Sequence, residues 1–126
     1  MSKDKTKTIA EKLVAYCSQN DDERCLNELY DENAISVEAT IMPGEESAET
    51  IGLDAIRAKH EWWNNTFEVN SADAQGPFLH GEDRFGVIFS FDATNKETGD
   101  RESMTELGIY TVENGKIIRE EFFYNT

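Results

Sequence analysis

From Thr6 to Gln19 the residues Ile9, Leu13, Tyr16 and Cys17 recur at the spacing of one helix face, and the opposite face is charged. Asn20, Asp21 and Asp22 interrupt that run and offer a cap for a second helix, whose apolar stripe is Cys25, Leu26 and Leu29. A strand is expected near Ala34 to Thr40, after which Pro43 and Gly44 turn the chain into an acidic, serine-containing loop. Beyond Gly52, the residues Leu53, Ile56, His60 and Trp63 return to near-helical spacing, with Asn64 and Asn65 as terminators of a third helix.

From Thr66 onward the period changes to that of strands. FEVNSADAQ alternates weakly, and Gly76 with Pro77 marks a bulge or kink. RFGVIFSFDAT then sets Phe85, Val87, Phe89 and Phe91 against smaller or polar neighbours. TNKETGD turns the chain, MTELGIYTV forms a strand, ENG turns again, and KIIREEFFY closes the pattern. A meander of long strands without intervening helices offers no crossover for a doubly wound parallel sheet. The expected fold is α+β, one domain over residues 1–126: a curved antiparallel sheet packed on three N-terminal helices, with a pocket in its hollow.

Composition narrows the partners. Acidic residues outnumber basic ones 26 to 12, a formal charge of −14 that repels phosphate backbones and anionic headgroups, so neither nucleic acid nor membrane is expected as a partner. The acidity could steer a cationic ligand or basic partner, but the expected reading is a solvated surface that keeps a small protein in solution. There is no apolar run long enough to span a bilayer, and MSKDKTKTIAEKL lacks the features of a secretory signal, so a cytoplasmic location is expected. Cys17 and Cys25 fall in helical segments, which points to buried thiols rather than a disulfide framework.

Three passages carry a family resemblance: GLDAIRAKHEWW from Gly52, GPFLHGEDRF from Gly76, and ELGIYTVENGKIIREEFFY from Glu106. In their order and spacing they resemble the nuclear transport factor 2-like superfamily, especially its SnoaL-like and ketosteroid isomerase-like branch. The resemblance implies an α+β cone, commonly paired into a homodimer through the outer sheet face. It leaves the activity open, because the fold hosts isomerases, cyclases, hydrolases, dehydratases and transport adaptors.

The candidate chemistry depends on the last hairpin. A three-residue ENG loop with Gly115 left-handed sets Tyr110 opposite Ile118, Gly108 opposite Glu120 and Glu106 opposite Phe122, all on the hollow face with Tyr124. A two-residue turn would move Glu120 to the other face. With the longer loop, Glu106 and Glu120 share an apolar hollow where desolvation and repulsion raise at least one carboxyl pKa, the condition for acid–base work near neutrality. Both could instead reach solvent or pair with Arg57, Arg84 or Arg101. The resemblance places Glu38 where ketosteroid isomerases keep their general base. It also places Leu13 and Gly108 where those enzymes hold oxyanion donors, so steroid isomerisation itself is not implied.

His60 is a further acid–base candidate by its near-neutral pKa and its helix, whereas His80 falls in a turn and is expected exposed. Tyr16, Trp63, Tyr110, Phe122 and Tyr124 are expected to line the ligand pocket, and Trp62, Phe67 and Phe78 could add flat walls; core packing explains the same residues. Zinc-ligand spacings, glycine-rich phosphate loops and nucleophile elbows do not occur, so neither metal nor cofactor is expected. The functional expectation is a SnoaL-like protein that binds a small apolar or ring-shaped molecule, as a cofactor-free enzyme of isomerase, cyclase or hydratase type. Its alternative is a non-catalytic homodimeric ligand-binding or protein-interaction module. Leu107, Ile109, Thr111 and Phe123 are the expected outer face of the dimer.

Overall fold

A computed structural model describes residues 2–41 and 44–125. Pro43, half of the expected turn before the acidic loop, lies outside the described residues. The chain runs α1 (Ser2–Ser18), α2 (Asp22–Leu29), β1 (Tyr30–Val37), β2 (Glu49–Ile51), α3 (Leu53–Thr66), β3 (Phe67–His80), β4 (Arg84–Asn95), β5 (Arg101–Glu113) and β6 (Lys116–Phe123). No helix among the described residues is long and apolar enough to cross a membrane.

The helices bury most of the stripes their sequence marks, with Cys17, His60 and Trp63 only half-buried. On α1, Ile9, Ala10, Leu13 and Tyr16 enter the core, and Thr6 seals the first turn by donating to the Glu82 carbonyl at 2.7 Å. The Asp21 carboxylate accepts from the Arg24 amide and caps α2, which buries Cys25, Leu26 and Leu29. Cys17 and Cys25 both carry free thiols. α3 anchors itself through Leu53 and Ile56, leaving Lys59, His60 and Trp63 half-buried further along. From the sheet come Phe85, Val87, Tyr110, Val112 and Ile117, with Phe85 stacked on Tyr110 at 4.9 Å between ring centroids.

The six strands form one curved, unclosed sheet in the order β2-β1-β6-β5-β4-β3. It is mixed rather than antiparallel: β1 pairs with β6 in parallel, with Ser36 opposite Glu120. The crossover that a parallel pair needs is present after all, supplied by everything from β2 through β5 rather than by one helix. β2, three residues inside the expected acidic loop, edges β1. The remaining pairs are antiparallel, and a register break between Gln75 and Phe78 puts a bulge where Gly76 and Pro77 mark one.

The last hairpin differs from the expected three-residue loop. Glu113 pairs with Lys116 across a two-residue turn in which Asn114 and Gly115 both have positive φ, 53° and 77°. This is the mirror-image turn that Asn-Gly favours because its twist matches the strands. A bulge then intervenes: Val112 pairs with Ile117 but Thr111 with Arg119, leaving Ile118 as the extra residue. Tyr110 consequently faces Glu120, not Ile118, and Gly108 faces Phe122, not Glu120. The bulge returns Glu120 to the inner face that the short turn alone would have denied it.

Candidate functional site

Glu120 is the most enclosed charged group described, 1% exposed. The Tyr30 hydroxyl donates to one of its oxygens, and the Ser36 hydroxyl donates to the other at 2.6 Å. Both donors sit on β1, so the parallel pairing of β1 with β6 is what satisfies this buried carboxylate. Burial, then the Glu120 charge, drives both the Tyr30 and the Tyr110 hydroxyls well above the usual phenol range, so neither ionises at ordinary pH.

From Ser36 the network continues to the half-buried rim. The Lys59 ammonium donates to Ser36 Oγ at 2.6 Å and to Glu38 Oε1 at 2.8 Å, and the Tyr124 hydroxyl donates to Glu38 Oε2 at 3.0 Å. Burial and the Glu38 carboxylate push the Tyr124 hydroxyl up to about 12. Lys59 and Glu38 are 21% and 16% exposed at the side chain, so the ion pair lies where the concave face opens to solvent. Glu38 thus carries two partners and is less free as a base than its position in the resemblance implies.

Glu106 is different. It sits on β5 opposite Phe89, half-buried, and among the described residues it has no hydrogen-bond or ion-pair partner. Arg57 is engaged with Asp54 and Asn27, and Arg101 with Asp92, so neither pairs with it. Burial, reinforced by the charges of Glu38 and Glu120, pushes its carboxyl up to about 7, with Lys59 and His60 pulling the other way. A carboxyl at that value is protonated and ionised in comparable amounts at neutral pH.

The aromatic neighbours are packed unevenly. An added Cβ at Gly108 would come within 3.0 Å of Tyr110 Cε2, 3.2 Å of Phe122 Cε1 and 3.3 Å of Phe89 Cε2. The three rings crowd the space that a side chain at position 108 would need. Gly108→Ala is expected to cost about 1–2 kcal/mol, since overpacking among stacked rings outweighs the smaller gain from stiffening the unfolded chain. Urea unfolding would measure it, and an unchanged midpoint would mean that the rings have room to give.

Other expected site residues are placed elsewhere. The Tyr16 hydroxyl donates to Glu28 Oε2 at 2.6 Å, with Arg24 over its ring, so it serves the α1–α2 contact rather than the carboxylates. His60 Nδ1 lies 3.4 Å from Asp22 Oδ2 on α2 and reaches Glu106 only through its field. Trp63 stacks on Phe67 at 4.3 Å and meets Phe91 edge-on, forming a half-buried aromatic side to the opening. Phe78 is 54% exposed beside Leu107 and Phe123 on the outer sheet face and is no wall of the hollow. His80 is exposed, as expected.

The residue that sequence reasoning missed is Lys59. Its signal was its place three residues after Ile56 and four before Trp63, on the inward face of α3. Two large clefts lie away from these groups. One of about 530 Å³ is bordered by Lys5, Glu82, Glu113 and Gly115, and one of about 640 Å³ runs over the outer face at Phe78, Leu107 and Phe123. Neither cleft is lined by Glu38, Lys59, Glu106 or Glu120.

The sequence model of the SnoaL-like domain matches residues 5–124. The chain belongs to that family. A crystal structure from Mesorhizobium loti superposes on this SnoaL-like domain with a TM-score of 0.86 and 36% identity, over 94% of this chain and 97% of the other. That protein is described as a candidate SnoaL-like polyketide cyclase, with carbohydrate phosphatase given beside it. A candidate isomerase from Bacillus subtilis matches at TM-score 0.77 and 20% identity, over 99% and 89% of the two chains. TerC, crystallised with polyporic acid, matches at TM-score 0.73 and 15% identity, over 96% and 92%. The last two share the fold; no curated protein matches the sequence. The SnoaL-like domain is thereby an α+β protein of the nuclear transport factor 2-like fold.

Proposed function

We propose that this SnoaL-like domain binds a small, mostly apolar, ring-shaped molecule at the open end of its concave face and moves a proton on it without a cofactor. The reaction is of isomerase, cyclase or hydratase type, and Glu106 is the acid–base group. One observation carries the reading: Glu106 is a half-buried carboxyl with no partner among the described residues, pushed up to about 7, and it lies opposite Phe89. Glu120 and Glu38 have their oxygens engaged and act as fixed charges that keep Glu106 basic enough to accept a proton and acidic enough to return it. His60 tempers that field. Co-crystallisation of TerC, on the same fold, with polyporic acid supports a small molecule as the ligand.

A neutral aromatic ketone with an acidic C–H tests the reading directly. In deuterated buffer at pH 7, the protein is expected to accelerate loss of the C1 protons of 2-tetralone, followed by proton NMR; exchange at the rate of buffer alone would sink it.

We read the outer face as the seat of a homodimer. Phe78, Leu107 and Phe123 are 54%, 37% and 51% exposed and form one apolar patch on an otherwise acidic protein. Light scattering at micromolar concentration should give twice the monomer mass for the native chain and the monomer mass for Leu107→Glu/Phe123→Glu. A native monomer would remove the dimer without touching the proton chemistry.

A further inference from the structure

Among the described residues, Lys59 carries a donor that no protein acceptor takes. An ammonium has three N–H bonds. Ser36 Oγ and Glu38 Oε1 take two of them, and among the described residues the third has no acceptor. The nitrogen lies 5.6 Å from the Phe122 ring centroid, on the face that Phe122 shares with Gly108 and Phe89, and the side chain remains 21% exposed. Its position is fixed from behind, because Ser36 is fully buried and itself donates to Glu120. A cation held this way cannot swing out to solvent without breaking two short hydrogen bonds.

We propose that Lys59 receives the carbonyl oxygen of the ligand, so that the opening selects neutral molecules in which a carbonyl adjoins an acidic C–H. This rests on Glu106 as the proton-transferring group. Charge balance favours it. Glu38, Glu106 and Glu120 outnumber the single lysine, and the chain as a whole carries −14, so a ligand already anionic is repelled at the entrance. A neutral ketone is not. When the Glu106 carboxylate takes the C–H proton, the electron pair of that bond becomes the enolate and its negative charge settles on the oxygen beside Lys59. Negative charge has moved from Glu106 to the ammonium, and the net charge of the opening is unchanged. Return of a proton from Glu106 to another carbon completes an isomerisation; attack of the enolate carbon on a second carbonyl, with Glu106 giving its proton to the alkoxide that forms there, completes a ring closure. Lys59 thereby supplies the oxyanion contact that Leu13 and Gly108 cannot.

The 2-tetralone exchange assay separates this inference from the reading beneath it. Lys59→Met is expected to slow exchange by about a hundredfold or more, the usual loss for one oxyanion donor, while Lys59→Arg retains most of the rate. Because Lys59→Met strands Glu38 without its partner, Lys59→Met/Glu38→Gln is made in parallel; it removes the stranded charge and should stay as slow. Lys59→Met at the native rate, with Glu106→Gln inactive, would overturn the role of Lys59 and leave Glu106 in place. So would recovery of the native rate in the double variant. A native protein without exchange would overturn both.

Discussion

Glu106→Gln is expected to stabilise the protein above pH 7 while abolishing its proton exchange. Both effects have one cause. In the unfolded chain this glutamate loses its proton near 4.5, and in the folded chain near 7. Between those values the folded state binds more protons than the unfolded state, so stability falls as pH rises through the window and levels off above it. The interval corresponds to about 3 kcal/mol, with partial exposure making this an upper figure. Glutamine has no proton to lose and escapes the decline. Urea unfolding of the two proteins should therefore coincide near pH 4 and diverge by about 2–3 kcal/mol near pH 8, with the variant more stable. Its exchange activity should drop by about a hundredfold or more. A variant less stable than the native protein at pH 8 would show that Glu106 is held by favourable contacts as a carboxylate.

Glu120 should behave in the opposite way. Glu120→Ala removes the acceptor of two buried hydroxyls, Tyr30 and Ser36, and opens a void at a position only 1% exposed. Charge-assisted hydrogen bonds and unsatisfied donors of this kind are worth about 1–3 kcal/mol each, so a loss of about 3–5 kcal/mol is expected. Glu120→Gln keeps one acceptor oxygen, and the hydroxyls can turn to accept from its amide, so about 1–3 kcal/mol is expected. The folded Glu120→Gln protein should retain exchange within about tenfold, since it removes one of the two charges that raise Glu106 and no proton acceptor. A well-folded Glu120→Gln protein without exchange would transfer the acid–base role from Glu106 to Glu120.

Much of this was legible in the chain because long strands repeat their period many times. Phe85, Val87 and Phe89 turn inward as their alternation demands, and the stripes of α1 and α2 bury most of the residues they mark. Strand partnership was not legible. Period shows which side a residue faces but not what lies beside it, so the parallel pairing of β1 with β6 and the short β2 escaped. The hairpin shows how two errors offset. Asn114-Gly115 forms the two-residue turn that such a pair favours, one residue shorter than the expected loop, and the bulge at Ile118 restores the missing residue. Glu120 therefore faces inward for a reason no alternation pattern contains. Lys59 was passed over because a lysine on a helix ordinarily reads as solvated, and only the third dimension sets Ser36 and Glu38 against it.

The most direct measurement is a carbon-13 NMR titration of the side-chain carboxyls in glutamate-labelled protein from pH 4 to 9. One resonance is expected to titrate near 7 and to vanish in Glu106→Gln. If every resolved glutamate titrates in the ordinary range near 4.3, the opening holds no group poised to exchange a proton at neutral pH, and the proposed chemistry is contradicted.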